Sequence, residues 1–424
     1  MVRDAVVPDA QNGLVMFRKM NMTSFDFATF SKTRGVNEDD ADKILERDAR
    51  NDAVADDFLK QARPHFVEID HVLDAPVFSF NDEITVDSKA PDFEPLRPVL
   101  CALRLSIIRC QQTGDYAGAI RDAVRLRRFG LRFSEGYKPL MYVLYSTALN
   151  SAYYYECAEL LNDRSLPPTA RDRLASEFTQ ETPWAERYQR CMPIEYQFLV
   201  GVIHQFKNAP TKDLKTMLSF AYVKSAWMQF TLQENATRRM MLPYYRTLMT
   251  SYNYPYSHFD PHTVNPFFMV NWIEKGWLNW LKPNYGGMAF LYDMGGLTNY
   301  WASASLTYAQ IAKERELKVG FALRHYYDDH EALPAKLADL IPQYLPAVPL
   351  DPFDGQPLRY DAKQGLVYSV GASLKDNGGS RFVKMAKDDP NYEDPLFSQD
   401  QPTLQLTFQN PSNASGPVDV SAAR

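Results

Sequence analysis

Residues 99–131 read VLCALRLSIIRCQQTGDYAGAIRDAVRLRRFGL, and the fold turns on how this stretch is read. Residues 99–112 carry apolar side chains at helical spacing and stop at Thr113-Gly114-Asp115, a composition that punctuates a helix. Beyond Tyr116 the helical period resumes through Ile120, Val124, Leu126, Phe129 and Leu131. A short Gly-Asp turn between two amphipathic helices folds them back on each other, and the small Ala119 lets their backbones approach closely. The stretch predicts a helical hairpin.

That hairpin, with Gly-Asp-Tyr at its turn and a small residue three positions after the tyrosine, resembles the second half of a tetratricopeptide-type repeat. One good copy is present and no fixed period of about 34 residues follows, so the expectation is an array of hairpins with loose repeats. Upstream, residues 39–63 read as one polar-faced helix with Ile44, Leu45, Phe58 and Leu59 on its apolar stripe. Residues 65–86 follow Pro64, contain Pro76 and alternate through Val77, Phe78, Phe80 and Ile84, which predicts an extended connector. Downstream, residues 140–155 carry no charge, and Ser146, Asn150 and Ser151 mark them as a buried core helix. The break Leu166-Pro167-Pro168-Thr169 is expected to start a helix over 171–178 with Thr169 as its cap. Further helices are expected at 193–206, 212–248, 266–281 and 302–327.

Composition bounds the rest. A chain of 424 residues exceeds the size at which one core usually stays single, which predicts roughly two to three domains. Its 13% aromatic content supplies enough apolar surface to exclude general disorder. A net charge of −6 lacks the basic face that nucleic-acid phosphates require. No run of about 18 apolar residues occurs, so no transmembrane helix is expected. Residues 1–12, MVRDAVVPDAQN, have neither an apolar core nor a small-residue cleavage site and do not read as a signal peptide. The chain is therefore expected to be cytosolic, or to be a mature or trimmed form of an exported one. Cys101 and Cys110 fall about 13 Å apart along one helix, too far to bridge, and no Cys-x-x-Cys occurs. All four cysteines, Cys157 and Cys191 included, read as small buried hydrophobes. Aromatics thicken between Tyr222 and Trp301, where five of the six tryptophans stand. A sugar-stacking or membrane-interface surface at Trp272, Trp277 and Trp280 is one reading. Trp277 and Trp280 sit at i, i+3 beside Ile273 and Leu281, which favours core packing.

After Trp301 the chain changes character. Residues 332–346 read ALPAKLADLIPQYLP, residues 348–360 VPLDPFDGQPLRY and residues 366–379 LVYSVGASLKDNGG. This is a long helix, a short helix, a turn forced by Asp-Pro and Asp-Gly, two short strands and a Gly-rich polar loop. Over residues 317–379 that order resembles the globular part of the major, G-type pseudopilin of type II secretion. More widely, with Pro8, Asp9 and Asn12 as an opening Pro-Asp-x-x-Asn motif, the chain resembles helical envelope-associated proteins of planctomycetes and verrucomicrobia that end in such a segment. The resemblance implies a cell-envelope or periplasmic setting and carries no activity with it. It also implies a calcium loop, a cation that gathers six to eight oxygens. Asp376 and Asn377 match the ligand-rich end of that loop, and Asp388 and Asp389 would complete the shell. Ala372 and Ser373 stand where pseudopilins often carry a carboxylate, so a plain Gly-rich turn held by aspartate side-chain bonds is the competing reading. No apolar spine precedes the helix at residue 302, so assembly into a pilus is not implied. The expected fold is mainly α, as helical hairpins loosely like tetratricopeptide units, with a small C-terminal α+β pseudopilin-like lobe. Its expected division is a helical domain over 1–301, the lobe over 302–395, and a strand and mobile tail over 396–424.

Two groupings invite chemistry. His258, Asp260 and His262 place two imidazoles and a carboxylate within five residues, a spacing suited to a transition metal, although Pro255 and Pro261 also mark a surface turn. His325-Tyr326-Tyr327-Asp328-Asp329-His330 reads more simply as a helix end terminated by its two aspartates. No phosphate-cradling loop, nucleophile elbow or zinc-protease helix motif occurs. The pairs Asp39/Asp40 and Asp56/Asp57 read as solvated helix faces. Two functions from different classes follow. The favoured one is a non-enzymatic envelope interaction or structural protein that offers a helical surface to a protein partner, with a possible calcium loop. The alternative is a metal-dependent hydrolase with His258, Asp260 and His262 at its centre.

Overall fold

The computed structural model describes residues 7–26, 30, 32, 52–79, 96–210, 222–258, 281, 283–295, 300–379 and 402–407. Helices α1 (Gly13–Arg18), α2 (Asp52–Ala62), α3 (Phe66–Asp74), α4 (Leu96–Gln112), α5 (Tyr116–Phe133), α6 (Leu140–Asn162), α7 (Pro168–Ala175) and α8 (Trp184–Asn208) come first. They are followed by α9 (Tyr222–Thr231), α10 (Glu234–Thr250), α11 (Tyr285–Gly295) and the long α12 (Tyr300–His330). Three short strands, β1 (Arg359–Asp361), β2 (Leu366–Tyr368) and β3 (Thr403–Gln405), complete a mainly helical fold.

The hairpin of α4 and α5 forms as its sequence dictates. Gly114 takes φ 76°, a region that a Cβ disfavours, and the Asp115 side chain caps α5 by accepting from the Gly118 amide at 2.9 Å. A Cβ on Gly118 would fall 2.2 Å from Asp115 Oδ2, so glycine there lets the cap close. Ala119 is fully buried between the helices. On the far side of α5, α6 packs through the polar residues that mark it as core: the Ser146 hydroxyl donates to Gly130 O at 2.7 Å, and Asn150, bonded back along α6 to Ser146 O, lies so close that a Cβ on Gly130 would fall 2.4 Å from its Nδ2.

Several boundaries differ from the sequence reading, each for a local reason. Residues 66–74 are helical, not extended, because Phe66, Ile69, Val72 and Leu73 form a buried helical face. Extended backbone begins only at Val77, which bridges in parallel to Asn12. Asn12 itself is fully buried: it accepts from the amides of Leu14 and Ser79 and donates to Ser79 O, stapling the start of the described chain to this segment. Thr169 does not cap α7; Pro168 occupies the first helical position after Pro167, where its missing N–H costs nothing. The expected helix over 212–248 is split after Thr231, where Asn284 Oδ1 accepts the Gln233 amide at 2.8 Å. The last turn of α12 contains Asp328 and Asp329, so they do not terminate it; the chain leaves the helix at Glu331, whose φ is 54°. Residues 39–51, 80–95, 211–221, 266–280 and 408–424, and with them Trp272, Trp277, Trp280, Asp39 and Asp40, lie outside the described residues.

Helix α12 joins the helical body to the sheet. One apolar cluster runs without a break from Phe17, Phe129 and Leu160 through Leu317 and Leu323 to Val367 and Leu404. A second cluster fills the space among α8, α10 and α11, and a third gathers Tyr256, Tyr308, Ala312, Phe353 and Val370. The sheet is an antiparallel meander in the order β1-β2-β3, with Tyr360 opposite Val367 and Val367 opposite Leu404. Cys110, Cys157 and Cys191 are buried, Cys101 is half-buried, and all four are free thiols.

Candidate functional site

An open groove of about 820 Å³ lies on one face of the helical body, between α3, the Gly114 turn, α5 and α7. Its floor is Ile120, Val124 and Ala170, and its rim is charged. The helical period puts Arg121, Arg125, Arg128 and Arg132 on one stripe of α5. Helix α3 answers with acids. Both oxygens of Asp70 accept from Arg125, at 2.7 and 2.6 Å, and Asp74 accepts from Arg128 at 2.6 Å. Asp56 on α2 takes Arg109 of α4 in the same two-pronged manner, at 2.9 and 2.8 Å. These arginines hold Asp74 and Asp56 below the ordinary carboxylate pKa. Tyr116 sets the end of the groove; burial and its hydrogen bond to Asp163 push its phenol up to about 12.

What remains uncommitted on the groove is specific. Arg121 is 60% exposed with its partner Asp122 at 3.8 Å, and Arg173 on α7 is 64% exposed with Glu177 at 3.7 Å. The arrangement therefore offers two loosely held guanidinium groups beside an apolar floor. Of its acids, Asp70 and Asp74 are tied to arginines and Asp115 caps α5 through the Gly118 amide.

A different electrostatic centre lies inside the protein along α12. Glu314 is fully buried and accepts the Thr182 amide at 3.0 Å and the Tyr154 hydroxyl at 3.4 Å, with Arg127 Nη2 at 3.8 Å. Arg127 in turn lies over the Phe178 ring, 4.6 Å from its centroid. Half a turn on, Glu316 is buried against the Asp351 turn. Asp351 is the hub of that turn: its Oδ1 accepts from the Phe353 amide at 2.9 Å and the Ser369 hydroxyl at 2.8 Å. Its Oδ2 takes the Val370 amide at 2.9 Å and Arg359 at 3.0 Å.

The residues singled out by sequence fare unevenly. His258 closes a short 3-10 turn (Tyr256–His258), exposed, with its ring 6.3 Å from that of Tyr254; Asp260 and His262 lie outside the described residues. Asp376 Oδ1 accepts from the Gly378 amide and the Tyr368 hydroxyl, both at 3.0 Å, and Asn377 is exposed beside it; Asp388 and Asp389 lie outside the described residues. At the end of α12, Asp328 bonds Arg324 at 2.8 Å and also Arg171, Asp329 accepts from Tyr344, and His330 stacks on Tyr326. Among the described residues no group of three or more His, Cys, Asp or Glu side chains converges on a point that would hold a metal, and no helix is long and apolar enough to cross a membrane.

No protein-family model matches the chain, and no curated protein and no solved structure shows significant similarity to it. The groove is hidden in the sequence because its acidic wall lies in residues 65–86, which read as an extended connector, although Phe66, Ile69 and Leu73 already carry the helical signal. Glu314 and Glu316 are hidden because Lys313-Glu314-Arg315-Glu316 reads as a solvated run.

Proposed function

We propose that the chain is a non-enzymatic interaction protein of the cell envelope, whose groove between α3, α5 and α7 takes an extended segment of a protein partner. The observation that carries this reading is the groove itself: an apolar floor, a rim of arginines and aspartates already paired with one another, and exposed guanidinium groups on two walls. The envelope setting rests on the pseudopilin-like order of motifs, and what supports it structurally is a long helix lying against an antiparallel three-stranded meander. Photo-crosslinkers placed at Ala117 and Thr169, both exposed on the groove, should capture one protein partner in envelope preparations. The charge reversals Arg121→Glu and Arg173→Glu should weaken that capture at least tenfold. A crosslinker on a distant surface that captures the same partner equally well would remove the groove from the reading.

The calcium loop belongs to the same proposal. Gly378 and Gly379 take φ 66° and 74°, giving the tight path a cation loop needs, and Asp376 faces it from beside Tyr368. Calcium should raise the melting temperature of the wild type and leave Asp376→Ala unmoved; equal shifts in both would reduce the loop to a plain turn.

A further inference from the structure

Helix α12 meets the sheet and the Asp351 turn along one stripe, Tyr308, Ala312, Glu316 and Gly320, spaced four residues apart. Tyr308 and Ala312 pack with Phe353 and Val370. Gly320 lies so close to the sheet that a Cβ there would come 2.4 Å from Leu404 Cδ2. In the middle of this apolar stripe stands a carboxyl group. Glu316 is 1% exposed, and its Oε1 has no hydrogen-bond partner.

The charged groups acting on Glu316 are Asp351, from the turn packed against it, and Lys313, from its own helix, with the Ser369 backbone also facing it. Lys313 Nζ rests 3.2 Å from the Ser151 hydroxyl of α6. Arg359, the cation of the turn, is spent on Asp351 and Asp354. Arg315, the next cation on α12, is turned to Glu181 and Leu350 O. A neutral carboxyl fits this seam at modest cost, whereas a carboxylate would be a poorly compensated buried charge facing a second carboxylate.

We propose that the seam between α12 and the 351–370 segment is a proton-operated latch: while Glu316 carries a proton the segment stays seated on α12, and loss of that proton loosens it. Burial first, and the Asp351 carboxylate second, push the Glu316 pKa well above its ordinary 4.5. Seating is therefore complete below that ordinary value and is lost as pH rises through the raised one.

Hydrogen–deuterium exchange on the full chain, corrected for the intrinsic pH dependence of amide exchange, tests this. Opening at β2 and at residues 351–358 should increase by up to about tenfold per pH unit above the ordinary glutamate range, since one proton leaves with each opening. Amides of α5 and α6 should hold a flat profile. Glu316→Gln keeps the shape without the charge and should remove most of the slope, leaving only what Asp351, also pushed up by burial, contributes. Should that variant not fold, infrared spectra of the wild type provide a second readout: a carboxylic-acid carbonyl band that persists across the sloping pH range and disappears where the slope levels off, as the seated state itself loses its proton. A flat wild-type profile, a slope undiminished by Glu316→Gln, or a band already gone at the acid end of the sloping range would each overturn the latch.

Discussion

The groove wall and the α12 seam place carboxylates in opposite circumstances. On the groove, Asp70 and Asp74 face arginines across a solvated boundary between α3 and α5. At the seam, Glu316 is shut away from water with another acid as its neighbour. In the first region charge fixes the angle of one helix on another at small energetic cost and small gain, because water screens both partners. In the second, water is gone, so the same group decides whether two parts of the molecule stay together. Burial, more than the number of charges, separates an ornament of the surface from a control point.

The sharpest way to break that contrast is to remove Asp351. Its carboxylate is fully buried and satisfies four donors, so Asp351→Ala leaves the amides of Phe353 and Val370 and the Ser369 hydroxyl without their acceptor. We expect a loss of about 3 to 5 kcal/mol in urea unfolding, from orphaned buried donors and a broken buried pair with Arg359. A loss below about 1 kcal/mol, the range of an exposed ion pair, would put the seam in the same class as the groove.

Next in size is the pH response, where the two regions should pull in opposite directions. Asp56 and Asp74 are held below their ordinary 3.8 by arginine, so what they contribute is present above that value and is lost as pH falls through their lower folded values. Glu316 is raised, so its contribution is present at acid pH and lost as pH rises. Stability plotted against pH should therefore fall on both sides of a mildly acid maximum. Glu316→Gln should flatten only the alkaline side, and Asp56→Asn with Asp74→Asn should touch only the acid side, by no more than exposed ion pairs contribute, as read from urea midpoints. A variant that flattens the other limb would show that the assignment of groups to limbs is wrong.

How much of this was legible beforehand follows from the same contrast. The hairpin was readable because a Gly-Asp turn and helical spacing are local, and so was the turn at Asp351, where Asp-Pro and Asp-Gly act within a few residues. The polar residues of α6 were read as core because Ser146 and Asn150 sit in an uncharged run. Helix α3 was lost because prolines and β-branched residues on its flanks outweighed the spacing of Phe66, Ile69 and Leu73. The ionic wall was lost with it, since an arginine stripe reads as solvated until its acidic partners are located some 50 positions earlier in the chain, as Asp70 is from Arg125. Glu316 was invisible for a deeper reason: nothing local distinguishes a buried glutamate from its exposed neighbours on a charged helix. Its burial is a property of the segment around Asp351 and Ser369, which returns to α12 from later in the chain.

The smallest expected effects test whether the groove wall is uniform. Arg128 is 45% exposed and Asp74 66%, so Arg128→Met should leave stability within error and remove only a salt-sensitive contact. Arg125 is 15% exposed and serves two acids, Asp70 at the rim and the buried Asp122, which otherwise has the Ser106 hydroxyl at 2.6 Å and the exposed Arg121 at 3.8 Å. Arg125→Met should therefore cost more, about 1 to 2 kcal/mol, because it strands a buried carboxylate as well as breaking a surface pair. Urea unfolding of both variants at low and high salt separates the two terms: screening should erase the rim contribution and leave the Asp122 contribution standing. Equal, fully salt-sensitive losses would mean that Asp122 is as well hydrated as Asp74, and the wall would then carry no gradient from solvent to core. A difference that persists in salt would mark Arg125 as the point where the groove's surface charge meets the buried kind found at the seam.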